Sequence, residues 1–511
     1  MENNNNSQQE IVLTQSQQHA FDKFKEFIDS DKKVFILKGY AGTGKTTLLK
    51  FFVVELQKQK KKFELLASTG RAAKIMRDKI GLGANTIHGA IYRYKDLNKD
   101  LDELFKGDKE PPKVDSTGQL FLTFEVVAIP DELQTECIYI VDEASMVGDK
   151  KDETPNQAIY GTGRLLNDLI NINHSGKYIF VGDNCQLPPV KGDISPALSL
   201  SYIKEKHNIE GVAVQLTEIK RQTNDNDIVL AAQEFRLLYE NPPQIEWPSF
   251  PLCGFKNITI LSSREELINK YIEDVRINGY SHSTLLCYSN GNSLKLARQL
   301  RQKLHKFSEP LCVNDLLLIT QNNYPTGLMN GDLVKVLAIN GLEIVRGMTF
   351  ARVEVEEINT KSVYNHLLIM DVLNSGYTNI LPHQHKDLII DFYFRMKKLS
   401  FSQKSIEFKI NMKEDPYLNA FRAVYGYAIT CHKSQGGEWE NVYLDIPHAF
   451  SHNAREQEYQ WLYTAITRAR GQLFIVQDFH LSYKDGLRPF SQFTRHNSPG
   501  NNSGYNIVKS L

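Results

Sequence analysis

Short apolar runs that end at a glycine or a carboxylate recur along the chain, separated by stretches with apolar residues at helical spacing. Residues 17–33 place Ala20, Phe21, Phe24 and Phe27 on one side of a helix. Residues 34–37 are apolar without alternation and run almost at once into glycine, which predicts a strand buried on both faces. Runs of the same kind at 63–67, 137–141, 178–181 and 284–288, several followed by helical patterns, predict an α/β fold built on parallel sheets. Two segments break this rhythm. Residues 96–130 are rich in charge, Pro and Gly before a β-like run at 120–129. Residues 311–420 read as β-rich, with Asn340-Gly341 and 374–376 as turn signals. Both read as insertions into α/β units. The Asn run at 3–6 and the polar end at 492–511 predict a disordered start and a mobile tail, and no short-period repeat is present.

Composition adds bounds. A chain of 511 residues suggests three or four domains at roughly 100–200 residues each. With 41% hydrophobic and 23% charged residues it can build sizeable cores. Sixty basic residues balance sixty acidic ones, so no global field favours a polyanion, and any nucleic-acid path must come from local arrangement. The six cysteines form neither a CxxC pair nor a Cys/His ligand cluster, which predicts reduced thiols and no zinc site. Residues 1–10 resemble no signal or transit peptide, and no apolar run approaches the ~18 residues of a membrane span. A soluble, intracellular, cytoplasmic protein without a membrane partner is expected.

The chemistry is concentrated in a few strings. Gly39-Tyr40-Ala41-Gly42-Thr43-Gly44-Lys45-Thr46 follows the strand at 34–37 and precedes the helical pattern at 47–56, the context a phosphate-binding loop requires. Its glycines let backbone N–H groups converge on phosphate oxygens, and the helix N-terminus adds positive partial charge. Gly39, Gly42, Thr43, Gly44 and Thr47 would form the cradle. Lys45 would reach the β- and γ-phosphates, and Thr46 would ligate Mg²⁺. The strand at 137–141 ends in Asp142-Glu143, where Asp142 is placed to hold Mg²⁺ and Glu143 to orient the attacking water. ATP and Mg²⁺ are the expected cofactors. The loop alone says only that a nucleoside triphosphate binds.

The remaining strings separate the classes. Gly182-Asp183-Asn184-Cys185-Gln186-Leu187-Pro188-Pro189 resembles motif III of superfamily 1 helicases of the RecD, Dda and Pif type. Asp142-Glu143-Ala144-Ser145-Met146 resembles their motif II, Ser68-Thr69-Gly70-Arg71-Ala72-Ala73-Lys74 motif Ia, and Asn85-Thr86-Ile87-His88 motif Ib. Residues 427–438 resemble motif V and residues 461–470 motif VI. The strings occur in family order from about 13 to 476. Ser68 departs from the proline that many relatives carry.

This resemblance implies the fold and most of the site. The fold class is α/β, with two RecA-like P-loop lobes, a small β-hairpin insertion in lobe 1 and an SH3-like β insertion in lobe 2. The expected boundaries are 1–90 with 137–225 for the first lobe, 91–136 for its insertion, 226–310 with 421–491 for the second lobe, 311–420 for its insertion, and 492–511 for the tail. By resemblance Gln17 reads adenine, Glu438 bonds the ribose, Gln186 senses the terminal phosphate, and Arg221 and Arg468 reach it. Thr69, Gly70, Thr86, His88, Thr430, His432 and Lys433 would contact DNA. Phe121 and Phe124, in the β-like run between motifs Ib and II, are the candidates for separating strands. The activity implied is an ATP-dependent DNA helicase moving 5′→3′, acting on single-stranded DNA and duplex junctions, with single-strand-binding, replication or repair proteins as partner classes. Three rivals remain open. A P-loop phosphotransferase would not need motifs V and VI, a DNA-stimulated ATPase would translocate without separating strands, and an RNA helicase would share the motor.

Overall fold

The computed structural model describes residues 12–111, 118–127, 129–130, 134–151, 157–190, 192–218, 227–243, 249–306, 309–373, 375–447, 456–478 and 480–483. Arg221, residues 112–117 of the first insertion, Asn374, the Asn run at 3–6 and the tail at 492–511 lie outside these residues.

The first α/β unit is a six-stranded sheet in the order Asn85–Thr86, Lys62–Ala67, Cys137–Asp142, Lys177–Gly182, Val34–Gly39, Gly211–Leu216. Every pairing in it is parallel. Val34, Phe35, Ile36 and Leu37 are all buried, as a strand covered on both faces requires. The first helix runs Gln15–Ile28 rather than to 33. Thr14 and Gln17 close a capping box at its start, and the polar residues after Ile28 give it no apolar anchor. Phe24 of this helix stacks on Phe52 with ring centroids 3.9 Å apart.

The second unit is a five-stranded sheet, also fully parallel, in the order Ile258–Leu261, Ala469–Val476, Trp439–Leu444, Ser283–Cys287, Ile429–Thr430. Two α/β units with fully parallel sheets therefore carry the motifs, as the apolar runs predict, and they fit the two RecA-like lobes that the resemblance implies.

The insertions differ from expectation in three ways. In the first, Tyr92–Leu97 pairs antiparallel with Leu122–Val126, a shorter strand than the run at 120–129. A third strand, Ala158–Tyr160, joins in parallel from beyond Asp142-Glu143, so the element is not confined to 91–136. Three residues are too few to show a period in sequence. In the second insertion, Leu316–Ile319, Leu333–Val345, Met348–Glu357 and Val363–Ile369 form an antiparallel sheet with Ala423–Tyr425, whose last strand lies past 420. Asn340-Gly341 makes no turn. The register shifts there, as in a bulge, and the hairpin turns at Arg346-Gly347, both at positive φ of 53° and 78°.

The third difference is larger. Residues 370–414 carry helices Met370–Leu373, Pro382–Lys398 and Ile406–Glu414 where β structure was expected. Leu388, Ile389, Phe392, Tyr393 and Met396 recur at helical spacing, and their β-branched and aromatic content disguises that period. This helix packs on Leu97, Leu101, Phe105 and Leu120 of the first insertion, joining the two insertions through one apolar cluster. Polar contacts add to the junction: Gln157 Nε2 donates to Ile380 O at 3.0 Å, and Arg422 Nη1 donates to Gln157 Oε1 at 2.7 Å. Among the described residues no helix is long and apolar enough to cross a membrane, and all six cysteines are free thiols.

Candidate functional site

The strand Val34–Gly39 delivers the glycine loop to the C-terminal edge of its sheet, and helix Lys45–Lys58 departs from it. Gly42 and Gly44 sit at φ 81° and 79°, a left-handed conformation that side chains disfavour. Lys45 Nζ donates to Gly39 O at 2.6 Å and Tyr40 O at 3.1 Å, which holds the ammonium over its own loop. Thr43 is buried, its hydroxyl donating to Tyr40 O.

A cavity of about 560 Å³ opens above this loop. The first unit lines it with Gly42, Gly44, Lys45, Thr46, Thr47, Asp142, Glu143 and Gln186, and the second with Gly437, Glu438, Trp439 and Arg468. Burial and the adjacent Glu143 carboxylate push the Asp142 carboxyl up, while Lys45 pulls it down. Glu143 adopts φ 51°, a left-handed conformation that costs a side-chain-bearing residue about 1–3 kcal/mol. Its N–H donates to Asp142 Oδ1 at 2.9 Å, so the strain fixes two carboxylates at the strand end. Gln186 is buried, and its Oε1 has no hydrogen-bond partner among the described residues. Arg468 is 4% exposed and donates to Thr464 O, Gly437 O and Thr467 Oγ1, all neutral acceptors. A buried cation, a lysine and two carboxylates thus share one cleft between two bodies.

Gln17 is placed differently from an adenine reader waiting at the surface. It is fully buried, its Oε1 accepts from Thr14 N and its Nε2 donates to Thr43 O at 2.9 Å. In this arrangement it braces the back of the glycine loop and does not line the cavity.

The other candidate contacts gather at the C-terminal ends of parallel strands. Thr69 follows Lys62–Ala67 and caps helix Gly70–Ile80 through Ala72 N. Thr86 pairs with Ala67 in register and caps helix Ile87–Ile91 through Gly89 N. His88 is exposed beside the rings of Tyr92 and Tyr160, at centroid distances of 5.5 and 5.3 Å. In the second unit Thr430 ends its strand and is buried, His432 is exposed, and Lys433 is half-buried, with burial lowering its ammonium to about 8. The two groups approach each other. A side chain at Gly70 would meet Met329 Cβ at 2.5 Å, and one at Gly331 would lie 3.9 Å from Arg71 and 4.0 Å from Lys433 O. The loop 329–331 therefore sits between motif Ia and the Lys433 turn.

Comparison with known proteins agrees with this geometry. Residues 12–237 match the model of an AAA domain, and residues 425–476 that of a UvrD-like helicase C-terminal domain. The ATP-dependent DNA helicase Pif1 of Campylobacter jejuni is 28% identical over 466 residues, covering 88% of this chain and 89% of that protein. The ATP-dependent DNA helicase dda of Enterobacteria phage T4 is 24% identical over 479 residues, covering 91% and 99%. The chain belongs to the superfamily 1 helicases of the Pif1/RecD-like branch. It also matches an uncharacterized Methanocaldococcus jannaschii protein, MJ1519, at 27% identity, with 88% of this chain covered but only 37% of that protein.

Within this helicase frame the contacts between lobes come from residues that motif reading left out. Tyr463 donates its hydroxyl to Asp183 Oδ2 at 2.7 Å and accepts from Ala41 N at 2.9 Å, tying motif VI to motif III and the glycine loop. Leu187 N donates to Thr464 Oγ1 at 3.0 Å, and Gln460 Nε2 donates to Asn184 O and Gln186 O at 3.3 Å. Gln435 Nε2 donates to Leu187 O at 3.2 Å. A sequence signal existed. Gln460, Tyr463 and Thr464 fall at i, i+3 and i+4, with Thr467 at i+7 just past the helix, a polar stripe among Trp461, Leu462, Ala465 and Ile466 that marks a face seated on polar groups. Trp439 and Trp461 pack in the core of the second lobe.

Proposed function

We propose that the chain is an ATP-driven motor that moves 5′→3′ along single-stranded DNA and separates duplex strands. The observation that carries this reading is the cleft. Its floor is the glycine loop of one RecA-like lobe, and its opposite wall holds Arg468 of the other. A triphosphate between them joins the lobes through charge that hydrolysis then divides, so bond cleavage becomes a change in lobe spacing. Lys45 and the loop N–H groups bind the phosphates, Glu143 orients the attacking water, and Gln186, Arg468 and Arg221 respond to the γ-phosphate. Glu438 faces the ribose, and Gln17 braces the glycine loop from behind. Asp142 and Thr46 would hold Mg²⁺, which offsets charge on the triphosphate. The raised proton affinity of a carboxyl lining this cavity fits a cation there.

Thr69, Gly70, Thr86, His88, Thr430, His432 and Lys433 grip phosphates along the strand ends without reading sequence. Single-stranded DNA and duplex junctions are the partners. The antiparallel sheet of the second lobe serves as the SH3-like element, and the three-stranded sheet of the first as the pin that blocks the complementary strand. The test is strand displacement on duplexes with either a 5′ or a 3′ single-stranded tail. Unwinding of the 5′-tailed duplex alone is expected, preference for the 3′-tailed one reverses the polarity, and ATPase without displacement reduces the protein to a translocase.

A further inference from the structure

Arg71 lies in the first turn of the motif Ia helix, next to the DNA-contact candidates Thr69 and Gly70, yet its side chain lines the cleft cavity. Its guanidinium lies over the ring of Trp439, across the cleft in the second lobe, with Cζ 4.5 Å from the centroid. Gly437 permits this approach. A Cβ there would stand 2.5 Å from Arg71 Cζ and 2.7 Å from the Trp439 ring. The carbonyl of the same Gly437 accepts Arg468 Nη1 at 3.1 Å. Two guanidinium groups from opposite lobes therefore abut one glycine, inside one cavity with Lys45.

Arg71 has no direct ion-pair partner among the described residues. Its Nη1 is closed off from solvent with no hydrogen-bond partner, and no carboxylate lies within ion-pair distance among the described residues. The nearby acids are engaged elsewhere: Glu357 pairs with Lys74 at 3.3 Å, and Asp332 accepts from Met329 N at 2.8 Å. Burial lowers Arg71 to about 10, attraction to Asp332 and Glu357 opposes the fall and repulsion from Arg468 adds to it, and the group stays charged at neutral pH. A cation held facing a like charge across a cleft is a site for an anion, and a planar guanidinium fits phosphoryl oxygens.

We propose that Arg71 and Arg468 form a two-sided subsite for a phosphoryl oxyanion, occupied by the γ-phosphate of bound nucleotide or by orthophosphate after hydrolysis. This rests on the motor reading above. In that reaction a water oxygen bonds to the γ-phosphorus as the β–γ P–O bond breaks. The bond's electrons leave with ADP, and the water proton goes to Glu143 or solvent. Arg71 takes part in neither bond; it holds the oxyanion from the first lobe while Arg468 holds it from the second. Trp439 stores the side chain when the anion is absent.

The test compares the full-length parent with R71Q, using a fluorescent ADP and its displacement by AMP-PNP or by ADP plus orthophosphate. R71Q is expected to keep ADP affinity within about twofold while losing AMP-PNP affinity by about tenfold or more. Loss of the orthophosphate effect on ADP release identifies free phosphate as an occupant, and loss confined to AMP-PNP identifies the nucleotide's own γ-phosphate; either supports the subsite. Equal losses for ADP and AMP-PNP, or no loss for either, overturn it, the first by reducing Arg71 to a structural contact. Should R71Q fail to fold by thermal unfolding, R71M, an uncharged and flexible replacement, is read in the same way. A parent without measurable ADP affinity defeats the motor reading itself, because that affinity does not depend on Arg71.

Discussion

Tyr463→Phe removes a single oxygen and should disable the coupling between lobes. The hydroxyl donates to the buried Asp183 carboxylate at 2.7 Å and accepts from Ala41 N in the glycine loop at 2.9 Å. A hydrogen bond to a charged group contributes about 1.5–3 kcal/mol. At about 1.4 kcal/mol per tenfold, its loss lowers the population of the joined arrangement by roughly 10- to 150-fold. The unpaired Ala41 N–H adds less, because it faces a loop where phosphate or water can take it. If turnover passes through the joined state, kcat/KM for ATP on saturating single-stranded DNA should fall within that range. The pH profile supplies a second readout. Burial already raises the Asp183 carboxyl, and the phenol is among the contacts that oppose the rise. Removing it raises the carboxyl further, so Asp183 takes up a proton at higher pH and the acid limb of activity moves upward. The bond is irrelevant to coupling if Tyr463→Phe hydrolyses ATP with parental kcat and KM and an unmoved acid limb, whatever its effect on thermal stability.

Glu143→Gln should retain ATP binding, read by nucleotide fluorescence, while losing about 10²–10⁵ in turnover, because it removes the group that orients water; near-parental turnover would move that role elsewhere. Lys433 has its ammonium lowered to about 8 by burial, so its charge is lost as pH rises from 7 to 9. Single-stranded DNA affinity at fixed salt should weaken across that window in the parent and stay flat in Lys433→Gln; parallel curves would remove Lys433 from the phosphate path. In the first insertion, Phe124 stacks on Tyr160 at 4.6 Å and meets Tyr94 at 5.8 Å, whereas Phe121 belongs to none of the packed apolar clusters. Phe121→Ala should therefore slow unwinding with near-normal single-strand-stimulated ATPase. Phe124→Ala should mainly destabilise the sheet, by less than the ~3–5 kcal/mol of a fully buried phenylalanine. Unwinding lost only in Phe124→Ala would reverse the assignment.

What was legible in the sequence follows from how locally each feature is encoded. The glycine loop needs left-handed backbone at Gly42 and Gly44, a strand before it and a helix after it, and all of that lies within 25 residues of chain, Val34 to Lys58. The parallel strands were readable for the same reason: Val34 to Leu37 are buried on both faces and must be apolar throughout. Helix Pro382–Lys398 was misread because its aromatic and β-branched residues suit a strand, and only their spacing says otherwise. The strand Ala158–Tyr160 was missed because its pairing with Leu122–Val126 joins residues far apart in sequence, and three residues carry no period.

The contacts that make two lobes into one machine belong to this last kind. Tyr463 meets Ala41 across 422 residues of chain and Asp183 across 280, and Leu187 meets Thr464 across 277. No local pattern can specify such partners; a local pattern can only show that a face is too polar to be core. Family motifs mark the same positions, but they name a residue by its neighbours in the chain rather than by what it touches. That is why Arg71 received no role of its own beside Thr69 and Gly70 in motif Ia. It is two residues from Thr69, which caps the helix just past the strand end and is the proposed DNA contact, but helical geometry turns its side chain toward the nucleotide cleft. A motif lying between two sites thus sends successive residues to each of them. Such a segment is well placed to couple strand grip to phosphate occupancy, since a shift of this one helix N-terminus moves Thr69 and Arg71 together.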